Sequence, residues 1–331
     1  MTTPSEAIAL GDRERLGRGG LKERLERRAA IFRAVRAFFE GRGYLEIDAP
    51  AAVPCPGLDL HLDAFAIDGG VRGRPMYLST SPEYQLKRLV AGGLERVFAI
   101  AHCFRNGELG RRHNPEFTMC EWYRAACGYL ALMDETEELV RLVATELGDG
   151  TLSCDRDLRI DARAPFLRLT VAEAFERFAG ASREEVSRLA ERDEDSYFRL
   201  LVERVEPGLR GLGVPAFLYD FPASQASLAR CSPSEREVCE RFELYVGDLE
   251  LCNGFGELTC PVEQRQRFLG DQQRRASEGL PVYPLDERFL AALDEGLPDC
   301  AGNALGLDRL VAAVLHVEDI ADVMPFPLGE L

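Results

Sequence analysis

Residues Val97 to Tyr123 read VFAIAHCFRNGELGRRHNPEFTMCEWY. Apolar runs, Val97 to Phe104 and Phe117 to Trp122, bracket a polar connection that carries Arg105, Glu108, Arg111, Arg112, His113 and Asn114. Two such runs around a glycine-bearing loop predict a β-hairpin with a charged tip. If both strands are anchored in a core, Arg105 is held at a sheet edge, where a guanidinium grips a phosphate in bidentate fashion. That arrangement suits a bound nucleotide. The plainer alternative is a surface hairpin with a solvated loop.

Working outward, residues 1–20 read as a flexible arm, and Leu21, Leu25, Ile31, Phe32, Val35 and Phe38 recur at helical spacing up to Gly41. Residues 44–50 read as a short strand ended by Pro50, 60–68 and 75–79 as strands, Pro82 to Val90 as a helix, and Leu130 to Leu147 as another. From 149 to 215 the pattern turns helical and charged, which predicts an insertion, with a capping box at Ser182 and Glu185. Strands return at 216–219, 242–246 and 249–253, then a polar helix from Pro261 to Ser277. From Gly302 a glycine-bearing strand end leads into a buried helix. Hairpin connections with helices bunched elsewhere predict one α+β domain, residues 21–331, built on an antiparallel sheet flanked by helices.

Composition narrows the chemistry. A formal charge of −16 argues against a general grip on DNA or RNA. No stretch approaches a membrane span and the N-terminus lacks a secretory apolar run, so a cytoplasmic protein is expected. The ten cysteines show no CxxC pair and read as buried thiols. Two lysines, Lys22 and Lys87, and four histidines leave little for Schiff-base, zinc or triad chemistry. The chemistry rests on Arg, Glu and Asn.

Three further segments carry such residues. In ELCNGFGEL, residues 250–258, an odd separation sets Glu250 and Glu257 on opposite faces of a regular strand. A bulge at Gly254 or Gly256 restores a common face, where Mg²⁺ held between two carboxylates and nucleotide phosphates is expected; two solvated glutamates on a kinked edge strand are the alternative. Arg309 stands one turn into the last helix, after Gly302 and Gly306, placed to reach phosphate or to form a surface pair with Asp308. In STSPEY, residues 79–84, Ser81 before Pro82 caps a helix, and Glu83 in its first turn suits a substrate amine if it faces a pocket. Tyr123 adds a ring face for a cation.

These segments, in this order, resemble the class II aminoacyl-tRNA synthetases. YLEIDAP (44–50) resembles motif 1, FRNG with HNPEFT motif 2, and GLDRL (306–310) motif 3. TSPEY (80–84), FPASQASLA (221–229) and NGFGELT (253–259) resemble the lysyl branch, and within it the short paralogues that join (R)-β-lysine to elongation factor P. The resemblance covers residues 25–325 and implies an antiparallel sheet dimerised through motif 1. With motif 1 near residue 40, no room is expected for an N-terminal anticodon-binding domain.

The resemblance implies ATP contacts at Arg105, Asn106, Gly107, Glu108, Asn114, Glu250, Leu251, Gly306 and Arg309, with Arg105 and Arg309 catalytic. It implies substrate contacts at Ser81, Pro82, Glu83, Tyr123, Glu257 and Ala304, where lysyl synthetases usually carry glycine in place of Ala304. Motif 2 usually reads Arg-x-Glu, whereas here Gly107 holds the third position and Glu108 follows. The implied reaction activates lysine or β-lysine with ATP and Mg²⁺ and passes it to elongation factor P. A stand-alone lysyl-tRNA synthetase core and a non-catalytic regulatory homologue are the rivals. Arg111 and Arg112 are the arginines expected to meet the acceptor protein, with tRNA, DNA and membrane not expected as partners.

Overall fold

The computed structural model describes residues 12–17, 19–155 and 157–330. Of the stretch expected as a flexible arm, Asp12–Gly17 form helix α1, with Arg15 paired to Glu330 at 3.4 Å, while residues 1–11 and 18 lie outside the described residues. Helix α2 (Leu21–Glu40) buries Ile31, Val35, Phe38 and Phe39, a stripe at helical spacing. Motif 1 contributes only two strand residues, β1 (Leu45–Glu46), parallel to the hairpin's first strand. Strands β2 (Ala52–Val53), β3 (Ala66–Val71) and β4 (Arg74–Leu78) make a separate three-stranded sheet, so residues 60–65 are loop rather than the strand expected there.

Helix α3 (Glu83–Ala91) leads into the hairpin β5 (Arg96–Phe104) and β6 (Glu116–Ala125), and α4 (Tyr129–Leu147) follows. The stretch expected as a helical insertion begins with β7 (Thr151–Leu152), β8 (Ile160–Asp161) and β9 (Leu167–Thr170). Leu152, Ile160 and Phe166 pack into the main core, and β9 joins the main sheet. Only the remainder is helical: α5 (Val171–Ala179), α6 (Arg183–Arg192), α7 (Glu194–Leu200), a π-helical turn over Leu201–Val205, and α8 (Glu206–Arg210). The reciprocal capping box is at Thr170 and Glu173; Ser182 caps α6 through the Glu185 amide alone.

Strands β10 (Ala216–Pro222), β11 (Val238–Val246) and β12 (Leu249–Gly256), helices α9 (Pro261–Ser277) and α10 (Glu287–Gly296), strand β13 (Cys300–Gly306) and helix α11 (Leu307–Leu315) complete the order. The eight-stranded sheet runs β1-β5-β6-β13-β12-β11-β10-β9. Its six inner strands are antiparallel and its two outer ones, β1 and β9, pair parallel, so it is a mixed sheet with an antiparallel centre in an α+β fold.

Because side chains alternate along a strand, each central strand serves two layers. Cys120 and Trp122, Phe242 and Leu244, and Leu305 enter a core shared with Phe39 of α2, Val140 of α4 and Val311 of α11. The opposite face carries Glu121 and Tyr123, Arg241, Glu243 and Tyr245, Asn253 and Phe255, and Gly302 and Ala304. Two smaller apolar clusters close this face at its ends, one under α5–α8 and one under α3, α9 and α10. All ten cysteines are free and eight are buried, as expected for thiols packed as small apolar groups.

Candidate active site

A cleft of about 610 Å³ opens between those two clusters. One end is basic. Arg105 leaves the end of β5, with its guanidinium 5.0 Å from the centre of the Phe117 ring and 3.7 Å from Glu108. Arg309 is fixed from three sides: it donates to the Glu250 carbonyl at 2.9 Å and the Arg112 carbonyl at 3.3 Å, and its Nη2 lies 2.7 Å from His113 Nε2. Asp308, the neighbour of Arg309, does not pair with it. Its carboxylate accepts from the Thr118 amide at 2.6 Å and meets Arg28 at 2.5 Å, so α11 is pinned to β6 and α2 while Arg309 stays turned to the cleft.

The odd spacing of Glu250 and Glu257 is corrected by a bulge, at Leu251 rather than at Gly254 or Gly256: Tyr245 faces Glu250 while Leu244 faces Cys252, which leaves Leu251 as the extra residue. Glu250 thereby joins the face of Glu243. Gly254 serves another purpose, since a Cβ there would stand 2.3 Å from the Phe242 ring. Glu257 shares that face but lies roughly 20 Å farther along the chain at about 3.3 Å per strand residue, too far to share one ion with Glu250. The structure therefore does not bring Glu250 and Glu257 together as expected, and sets Glu243 beside Glu250 instead.

Glu243 accepts from Arg241 at 2.6 Å and Tyr245 at 2.7 Å, and beside it Glu250 is held above the ordinary carboxylate range by desolvation first and by Glu243 second. Glu206, from the first turn of α8, joins the lining, with its carboxyl pushed up to about 7 by burial and then by Glu243 and Glu250. Among the described residues no three His, Cys, Asp or Glu side chains are arranged to hold a metal ion. Two adjacent carboxylates fit Mg²⁺ only with further oxygens from a phosphate chain, the usual state of nucleotide-bound Mg²⁺.

The other end is acidic and deep. Ser81 donates to Glu121 at 2.8 Å, and Tyr123 donates to the other oxygen of Glu121 at 2.6 Å. Lys87, fully buried, bridges Glu83 on its own helix and Glu257 at 2.5 Å. Three carboxylates thus face one ammonium. Burial and then Glu83 push Glu121 up to about 7, and burial pushes Glu257 up to about 8 in spite of Lys87. Gly302 makes this packing possible, because a Cβ there would meet the Tyr123 ring at 2.1 Å and Glu257 at 2.6 Å.

Of the residues expected at the site, Ser81, Glu83, Arg105, Glu108, Asn114, Glu250, Leu251, Ala304, Gly306 and Arg309 line the cleft. Tyr123 and Glu257 are buried beneath it. Asn106, Gly107 and Pro82 stand outside the lining. Gly107 occupies the exposed turn at φ +84°, and the Asn106 amide donates to the Asp63 carbonyl at 2.7 Å. Asn114 is tied to the chain on both sides, donating to the Glu116 carbonyl at 2.6 Å and accepting from the Leu328 amide at 3.0 Å. Of the two arginines expected to meet the acceptor protein, Arg112 is half-buried and paired with Asp248 at 3.1 Å, and Arg111 is exposed.

Sequence reasoning passed over Glu121, Lys87, Glu243 and Phe117. Two of them carried a readable signal: Glu121 is two residues from Tyr123 on one strand, hence on its face, and Lys87 is four from Glu83 on one helix.

A family model for tRNA synthetases class II (D, K and N) matches residues 15–330. Proteins called elongation factor P–(R)-β-lysine ligase are similar along nearly the whole length. The one from Proteus mirabilis is 42% identical over 316 residues, covering 92% of this chain and 94% of its own. The one from Yersinia enterocolitica is 43% identical over 318 residues, covering 92% and 95%. The one from Salmonella paratyphi B is 44% identical over 313, covering 91% and 94%. The basic and acidic ends of one cleft, on the antiparallel centre of a sheet whose three motifs keep their order, belong with that match: the chain is a member of the class II tRNA synthetase family of the aspartyl, lysyl and asparaginyl type.

Proposed function

We propose that the chain is an ATP-dependent ligase that activates a lysine-like diamino acid, with (R)-β-lysine preferred, and transfers it to a lysine side chain of elongation factor P. The observation that carries the reading is the acidic end of the cleft, where Lys87 is the one cation that Glu83, Glu121 and Glu257 meet among the described residues, so that two carboxyl groups with raised pKa are left to ionise against a substrate with two ammonium groups. The names of the relatives, whose similarity covers 91–92% of this chain, support the same substrate and acceptor.

In the first step the substrate carboxylate attacks the α-phosphorus of ATP, the bond to the β-phosphate oxygen breaks, and pyrophosphate leaves with the electron pair. Arg105 and Arg309 hold the phosphates from both sides and stabilise the charge that builds on them. Phe117, beneath Arg105, offers a ring face for the adenine, and Glu108 offers the carboxylate that Gly107 lacks. Glu243 and Glu250 would hold Mg²⁺, which when bound supplies charge neutralisation to the phosphates. In the second step the acceptor amine attacks the adenylate carbonyl, AMP leaves, and the amine gives up one proton to yield an amide. Ala304 faces Glu121 across the β13–β6 pair, and its methyl group narrows the amino-acid end relative to glycine.

The reading places the enzyme in the cytoplasm with its acceptor, as a homodimer through the α2–β1 face, where Leu45 on the edge strand is 53% exposed. No helix among the described residues is long and apolar enough to cross a membrane. ATP–pyrophosphate exchange with each lysine isomer, followed by transfer to purified elongation factor P or to tRNA, tests the reading. Exchange with (R)-β-lysine and transfer to the protein are expected. No exchange with any isomer, or faster transfer to tRNA, overturns it.

A further inference from the structure

Gln264, in the first turns of α9, is 1% exposed and lines the cleft, yet neither its Oε1 nor its Nε2 has a hydrogen-bond partner among the described residues. Phe268, one turn on along the same helix, packs against Tyr84 at 5.7 Å. A buried amide with neither atom paired destabilises the free protein, and such groups are rare unless something else uses them. An apolar residue of the same size would serve the packing better.

We propose that Gln264 is a substrate-contacting, specificity-determining residue of the amino-acid end, its amide oxygen accepting a hydrogen bond from an ammonium group of the diamino acid. The inference rests on the amino-acid end being the diamine site. A neutral acceptor is what that end calls for: Glu83, Glu121 and Glu257 already outnumber Lys87 by two carboxyl groups, enough to match two ammonium groups once ionised, and a fourth carboxyl would have no cation to ionise against. An amide oxygen adds direction without charge. A site built to hydrogen-bond a polar group also rejects analogues lacking it, because its own buried group then goes unpaired.

The test is Gln264→Leu, read in three ways. Relative to wild type, the KM for (R)-β-lysine in pyrophosphate exchange is expected to rise about tenfold or more, while the KM for ATP stays within about twofold. Without ligand, the melting temperature is expected to rise by about 1–3 °C, because two unpaired polar atoms leave the interior. A purely structural glutamine would give the opposite sign, so a lower melting temperature or failure to fold overturns the proposal. So does an unchanged amino-acid KM, or a parallel rise of both KM values. Gln264→Asn, which keeps the amide but withdraws it by one methylene, is expected to raise the amino-acid KM without the thermal gain. If wild type itself shows neither exchange nor a thermal upshift with any diamino acid, it is the diamine reading that fails, and the melting temperature of unliganded Gln264→Leu still reports on the unpaired amide.

Discussion

Glu250 sits diagonally across from Glu243 on the cleft face of the β11–β12 pair, and it does so only because Leu251 is inserted between Glu250 and Cys252. Were Leu251 paired in a regular register, Glu250 would face Val246 and point into the apolar core. Glu250→Gln is therefore expected to lower pyrophosphate exchange by about 10²-fold or more while the fold is kept, as removal of a phosphate-neutralising group does. Exchange measured against Mg²⁺ concentration checks this. Near-normal turnover would mean that Glu250 is merely solvated.

Glu108 reaches the Arg105 guanidinium from the position after the one where motif 2 normally has its carboxylate. If it has taken over adenine contacts, Glu108→Ala raises the KM for ATP with kcat little changed, the mark of a lost ground-state contact. An unchanged KM would assign the adenine to Phe117 and backbone alone.

Among the described residues, Lys87 is the sole cation set between three carboxyl groups at the floor of the cleft. Replacing it with methionine leaves Glu257 buried without its partner, and breaking such a pair costs about 3–5 kcal/mol. Urea unfolding is expected to show that loss and its substantial recovery in Lys87→Met combined with Glu257→Gln, since a neutral amide no longer needs the ammonium. Equal instability of the single and double variants would show that Lys87 acts through packing.

His113 takes up the Arg309 Nη2 and must stay neutral to do so, with its proton on Nδ1. Desolvation first and Arg309 second hold its pKa below 6.5. Between that lowered value and 6.5 the unfolded chain binds a proton that the native chain refuses, so this residue's contribution is present above 6.5 and is lost as pH falls through the window. The melting temperature of wild type is expected to fall more than that of His113→Gln between pH 7 and pH 5. Parallel curves for the two proteins would remove His113 from the acid response.

The hairpin from Arg96 to Ala125, helices α2, α3, α4, α9 and α11, and the α+β class were all legible, because each rests on a local period of apolar residues or on local turn and cap chemistry. So were the cleft positions of Ser81, Glu83, Arg105, Glu250 and Arg309, which sit in short motifs. The site's charge balance was not. Lys87 looked unremarkable along the chain, and its meaning comes from Glu257, 170 positions away, brought beneath α3 by the return of β12. The bulge was foreseen as a need, and it was sited at the glycines because glycine is the local signal; the register shows those glycines clearing room for Phe242 and Glu240 instead. Nor did the run from 149 to 215 disclose that β9 completes the sheet, since a four-residue strand is named by the partner it pairs with. Sequence by itself determined which residue types and which local elements this protein has, through interactions that reach only a turn or two along the chain. Which carboxylate meets which cation was decided by tertiary structure, because strand register and burial set distance and dielectric, and those alone govern how charges pair.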